Sequence, residues 1–114
     1  MIIRDKFLNH REKEALEHLV NELKSALKDQ IVMIRLFGSK VRGDYTSDSD
    51  MDVFLVIKYR NPKIAEKIAE INLEIDIEYN TNISLIILSE HEYLVNREFD
   101  TPFIENVLSE GVPL

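Results

Sequence analysis

Two aspartates separated by one apolar residue, Asp50-Met51-Asp52, lead into the apolar run Val53 to Ile57, and an earlier apolar run, Ile31 to Phe37, stops abruptly at Gly38-Ser39. Alternate residues of a strand share a face, so the spacing predicts Asp50 and Asp52 pointing the same way, about 6.6 Å apart along the chain, with Met51 pointing into the core. Hard divalent ions take oxygen ligands, and Mg²⁺ typically uses one or two carboxylates with phosphate and water completing its shell. Such a carboxylate pair suits two ions about 3.5–4 Å apart, one activating a nucleophile and one on leaving phosphates. Gly38-Ser39, ahead of a short helical turn through Arg42 that Gly43 closes, offers backbone N–H groups and a positive dipole end to phosphate oxygens. Gly38 permits close approach of a ligand, and the Ser39 hydroxyl can donate as well.

Two familiar phosphate and metal loops are excluded. The glycine and lysine spacing of a Walker A loop is absent. An EF-hand reading of Asp48-Ser49-Asp50-Met51-Asp52 fails because Val53 replaces the required glycine and Tyr59 stands at the terminal glutamate position. Arg42 can reach phosphate or pair with Asp44 or Asp48, and arginine does either readily. Lys40 is expected to be exposed. The competing reading is an acidic loop of Asp44, Asp48, Asp50 and Asp52 beside a plain turn. The ordered combination, at the ends of successive predicted strands, favours a site.

The elements that position these residues are legible in turn. From Asn9, a capping residue, to about Lys28, the positions Ala15, Leu16, Leu19, Val20, Leu23 and Leu27 recur at helical spacing. The opposite face carries Glu12, Lys13, Glu14, Glu17, Glu22 and Lys24, the mixed charges of a solvated surface. His10 and His18 are given no role. Ile31 to Phe37 reads as a central strand covered on both faces, Asp44 to Ser49 as a polar loop, and Met51 to Lys58 as a second strand. The connection between these strands is too elaborate for a tight hairpin.

Asn61-Pro62 starts a helix. Its end is ambiguous, because Ile71, Leu73, Ile75, Ile77 and Tyr79 alternate with polar residues as an amphipathic strand would. The stripe Ile64, Ile68, Ile71 and Ile75, and the lack of a turn signal before Asn80-Thr81-Asn82, predict helix to about Glu78. Ile83 to Leu88 is the third strand. Ser89-Glu90-His91-Glu92 is a capping box opening a short helix, and Thr101-Pro102 opens another that runs to about Glu110 and stops at Gly111. The expected class is α/β (α+β): a small mixed sheet of three to four strands flanked by helices.

At 114 residues the expectation is a single domain over 1–114. The 45% hydrophobic and 31% charged residues are those of a globular chain. There is no cysteine, so disulfides and thiolate metal sites are excluded. The N-terminus lacks the apolar segment of a signal peptide and no run is long enough to span a bilayer, so no membrane association and a cytoplasmic location are expected. The net charge of −7 opposes the counterion-releasing attraction on which nucleic-acid binding depends, so no direct nucleic-acid binding is expected.

The residues Gly38-Ser39-Lys40-Val41-Arg42-Gly43 and Ser49-Asp50-Met51-Asp52-Val53 resemble the paired signature of the minimal nucleotidyltransferases, small members of the DNA polymerase β superfamily. The resemblance implies a nucleotidyltransferase fold and transfer of a nucleotidyl group, AMP favoured, from a nucleoside triphosphate, ATP favoured, with Mg²⁺ or Mn²⁺. It assigns Asp50 and Asp52 as catalytic and metal-binding residues, and Gly38, Ser39 and Arg42 as nucleotide-binding ones. Many such proteins are the antitoxin half of a pair with a HEPN-domain ribonuclease, and the implied acceptor is then a tyrosine hydroxyl on that partner. Homo- and hetero-oligomers both stay open.

Active members of the family carry a third carboxylate on the strand after the long helix, facing the Asp-x-Asp pair. The matching position in Asn82-Ile83-Ser84-Leu85-Ile86 is Ser84, a poor substitute for a charged ligand. Asp76 is the nearest alternative, expected as an exposed carboxylate of the preceding helix. Ser84 therefore keeps open a binding module of the same fold that neutralises its partner by occlusion. A small-molecule nucleotidyltransferase acting on an aminoglycoside-like acceptor is a third reading, one that would normally need a further substrate domain.

Overall fold

Local signals set the helix ends. The structure, a computed structural model, describes residues 8–38 and 50–114. Asn9 caps helix α1 (His10–Leu27) with a full capping box: its side chain accepts from the Glu12 N–H at 2.8 Å, and the Glu12 carboxylate accepts from the Asn9 N–H at 3.0 Å. Such a cap contributes about 1 kcal/mol. A 3₁₀ turn, Lys28–Gln30, joins α1 to strand β1 (Ile31–Phe37). Strand β2 spans Met51–Ile57. Helix α2 (Pro62–Tyr79) starts on the Asn61 side chain with proline in its first turn, and ends at Asn80 in the left-handed region. Strand β3 is Ile83–Ser89 and helix α3 is Glu90–Glu98, with the expected Ser89–Glu92 capping box. The Ser89 N–H bonded to Glu92 holds that carboxyl below its usual range. Helix α4 (Pro102–Glu110) runs from Thr101 to Gly111.

The long helix resolves the ambiguous stretch in favour of the helical period. Ile71 and Ile75 are 4% and 2% exposed, whereas Leu73 and Ile77 are 60% and 73% exposed. A strand would have put all four on one face; a helix divides them between core and solvent.

The sheet is mixed, in the order β3-β2-β1-β4. β1 and β2 are antiparallel, β2 and β3 parallel with α2 as the crossover, and β4 (Val112–Pro113) pairs antiparallel with β1. The short β4 is a strand that no periodic pattern announces, since two residues carry none. Helices cover both faces. On one, Leu16, Leu19 and Leu23 of α1 and Ile68, Ile71 and Ile75 of α2 pack on Ile34, Leu36, Met51, Val53, Leu55 and Ile57. On the other, Tyr93, Ile104 and Val107 enclose Phe54 and Val56. Among the described residues no helix is long and apolar enough to cross a membrane.

One expectation is corrected. The strand sealed on both faces is β2, where every residue from Val53 to Ile57 is buried. In β1 the burial alternates and Val32 is 39% exposed, because its outer neighbour β4 is only two residues long. The turn expected from Gly38-Ser39 through Arg42 and the loop Asp44 to Ser49 lie outside the described residues.

Candidate nucleotide and metal site

Strand pairing builds the site from three separate parts of the chain. The antiparallel register sets Phe37 opposite Asp52, and the parallel register sets Ser84 beside Asp52 on its other side. Paired residues lie on one face of the sheet, so Phe37, Asp52 and Ser84 form a row. The end of β1 and the starts of β2 and β3 thus meet at one edge of the sheet. Behind the row the face is apolar: Phe103 meets Phe37 and Phe54 edge-on, at ring separations of 5.8 and 5.6 Å.

Gly38 follows Phe37 with φ +84°, a conformation that side-chain-bearing residues rarely adopt. A Cβ at this position would collide with the Asp52 carboxylate. The glycine is therefore required twice, by its backbone angle and by the side chain seated against it. Asp52 is half-buried, Asp50 immediately before β2 is exposed, and Met51 between them is buried with α1 and α2, as the alternation predicts. Gly38, Asp52 and Ser84 are brought together here, with Asp50 at the strand's start. Ser39 and Arg42 lie outside the described residues, as do Lys40, Asp44 and Asp48.

The donor set fits a hard divalent ion that takes one or two carboxylates from the protein and its other oxygens from phosphate and water. Among the described residues no group of three or more histidine, cysteine or acidic side chains could hold a metal by itself. Ser84 occupies the register position beside Asp52 where the resemblance calls for a third carboxylate.

Asp76 serves another purpose, and the expected exposed helix carboxylate is corrected. It is half-buried near the end of α2, where it accepts from the Thr81 hydroxyl at 2.9 Å and from the Ile83 N–H at 3.1 and 3.3 Å. It ties the α2–β3 turn to the first residue of β3. The short polar run Asn80-Thr81-Asn82 was the signal for the turn, but nothing local indicates that a helix carboxylate reaches across it. We expect Asp76→Ala to cost about 1–3 kcal/mol in urea unfolding, by orphaning the Ile83 amide, while transfer per folded molecule stays unchanged. A selective loss of transfer would instead make Asp76 part of the site.

The histidines hold surface contacts. His10 pairs with Glu14 at 2.9 Å, and His18 joins α1 to α2 through Tyr79 Oη at 3.1 Å and Glu78 at 3.2 Å. A cavity of about 380 Å³ lies by Lys58, Arg60, Ser89 and His91. It sits at the far end of β2, roughly 20 Å from Asp52.

The fold is that of a nucleotidyltransferase domain. A family model described as nucleotidyltransferase domain matches residues 16–113, and the chain belongs to that family. It is similar to MJ0604 of Methanocaldococcus jannaschii, named as a candidate protein adenylyltransferase, with 35% identity over 100 residues, 88% of this chain and 94% of that one. The fold is similar to a solved structure described as a candidate minimal nucleotidyltransferase (TM-score 0.58, 22% identity, 89% of this chain and 94% of the other). It is also similar to a chain from a toxin-antitoxin structure with AMP-PNP (TM-score 0.57, 18% identity, 85% and 70%).

Proposed function

We propose that this chain binds ATP with a divalent ion, Mg²⁺ or Mn²⁺, at Asp50 and Asp52, and transfers AMP to a hydroxyl of a protein partner. In the same reading it acts in the cytoplasm as the antitoxin of a HEPN-domain ribonuclease. The observation that carries it is the seating of Asp52 against Gly38, where no side chain would fit, at the end of the sheet that Asp50 also occupies. The protein-adenylyltransferase name of a 35% identical relative supports the acceptor class. The toxin-antitoxin likeness supports the partner.

In the proposed reaction the acceptor hydroxyl oxygen forms a bond to the α-phosphorus. The bond from that phosphorus to the bridging oxygen breaks, pyrophosphate leaves with its electron pair, and the hydroxyl proton passes to solvent. A bound divalent ion supplies charge neutralisation for the phosphates and lowers the barrier to attack. The chain's own share is positioning: Gly38 gives the backbone access to the phosphates, with Ser39 and Arg42 as further nucleotide contacts, and Asp50 and Asp52 fix the ion at the β2 start.

A second reading keeps the fold and partner without turnover, as a module that neutralises by occlusion. Ser84 beside Asp52 favours it, since serine brings no charge to a metal. Thermal unfolding separates the two at the first step. Millimolar ATP with Mg²⁺ should stabilise the chain by about 2.7 kcal/mol at a hundredfold excess over Kd; no shift with any triphosphate removes the enzyme reading. A co-purified partner whose intact mass rises by one AMP supports transfer, and an unchanged mass supports occlusion.

A further inference from the structure

Strand β3 is one of the two edge strands of the described sheet, and its outer edge has a particular pattern of open and closed backbone groups. The Met51 N–H donates to the Asn82 carbonyl at 2.9 Å, which sets the phase of the parallel ladder. Ser84, Ile86 and Leu88 then turn their backbone groups toward β2, and Ile83, Leu85, Ile87 and Ser89 turn theirs outward. Both ends are closed by side chains. The Ile83 N–H is taken by Asp76 at 3.1 Å and its carbonyl by Asn72 at 3.1 Å. The Ser89 N–H is taken by Glu92 at 3.0 Å. Between them, Leu85 N–H and C=O and Ile87 N–H have no partner among the described residues, and the Ile87 carbonyl has only a long 3.4 Å contact from Arg60.

We propose that two copies of this chain pair through β3, edge to edge and antiparallel, about a two-fold axis at Ile86. The closed residues Ile83 and Ser89 stand equally far from Ile86. Pairing centred there sets Leu85 against Ile87 of the second copy, each pair exchanging two hydrogen bonds. It sets Ile83 against Ser89, where the N–H groups are already satisfied. The open window is therefore complementary to itself, as an isologous contact requires. An unrelated extended peptide would need the edge but not this symmetry.

Two further features agree. Leu73 and Ile77, exposed on α2, each lie one residue round the helix from Asn72 and Asp76, the side chains that reach the β3 edge. The two-fold axis brings α2 beside its copy on one face of the joined sheet, giving both residues an apolar neighbour. The antiparallel register also carries Arg60, which pairs with Glu92 of its own chain at 3.0 Å beside Ile87, toward the end of the other copy's edge where Asp76 stands. The strand itself has none of the lysines, prolines or bulges that usually keep sheet edges apart.

The proposal is independent of turnover. Sedimentation equilibrium of the full chain at about 10–100 µM should give twice the chain mass. Amide exchange at Leu85 and Ile87 should slow as concentration rises. Ile87→Pro removes the outward N–H together with a partly buried side chain packed on the core, whereas the double change Leu73→Glu with Ile77→Glu alters only exposed side chains; each should halve the sedimenting mass with helical circular dichroism retained. Should Ile87→Pro not fold, the double variant carries the test. A wild-type chain that stays monomeric, as it would if the edge served a different protein, overturns the proposal. So do Leu85 and Ile87 amides indifferent to concentration, or a folded variant that still dimerises.

Discussion

Asparagine in place of Asp50 or Asp52 is expected to lower AMP transfer by about 10²–10³-fold, the scale on which losing one preorganised stabilising group acts, here by loosening the hold on the divalent ion that neutralises the phosphates. The change is nearly isosteric, removing the negative charge and exchanging one acceptor oxygen for an NH2 donor, so its effect on transfer separates from packing. Asp50 is exposed and precedes the ladder of β2, so Asp50→Asn should unfold in urea within about 0.5 kcal/mol of wild type. In metal-free buffer it is expected to be unchanged or slightly more stable, because the surrounding acidic residues repel one another. Transfer would be followed by mass shift of the acceptor, with ATP-dependent thermal stabilisation measured alongside. A variant that unfolds severely would make the aspartate structural, and one that transfers normally would remove it from the reaction.

The second large effect is expected at Gly38. Alanine there meets two obstacles: a φ of +84° that a Cβ disfavours, and the Asp52 carboxylate occupying the space that the Cβ would fill. The backbone term alone is about 1–3 kcal/mol. The collision must be relieved by moving Asp52 or the end of β1, and a displacement on the order of 1 Å in a positioned group can cost about 10² in rate. Gly38→Ala should therefore lose both stability in urea and transfer per folded molecule. Stability lost with transfer fully retained would show that the glycine serves the turn and not the site.

The chain's local structure was legible because its causes are local. Asn9, Asn61, Ser89 and Thr101 cap the helices that follow them, each bonding a backbone N–H three residues on. The stripe Ile64, Ile68, Ile71 and Ile75 identifies α2 despite the strand-like alternation laid over it. The candidate Gly38 and the Asp-x-Asp pair stood out for a related reason: the chemistry the resemblance implies needs those residue types at short, fixed spacing.

Tertiary structure decided what depends on pairing between distant segments. Nothing near Ser84 says that it will stand beside Asp52; the β2–β3 register does. The same is true of Asp76, whose use in closing the start of β3 depends on how α2 returns to the sheet. β1 and β2 are similarly apolar runs, yet β2 alone is buried at every position from Val53 to Ile57, because the two-residue β4 leaves the outer side of β1 only partly covered. By itself the sequence determined the helices, the three long strands and the candidate Gly38, Asp50 and Asp52, through side-chain periodicity and short-range hydrogen bonding. Which residues became neighbours, which strand was sealed and which edge stayed open followed from packing and register, where one residue's slip would turn each side chain to the opposite face.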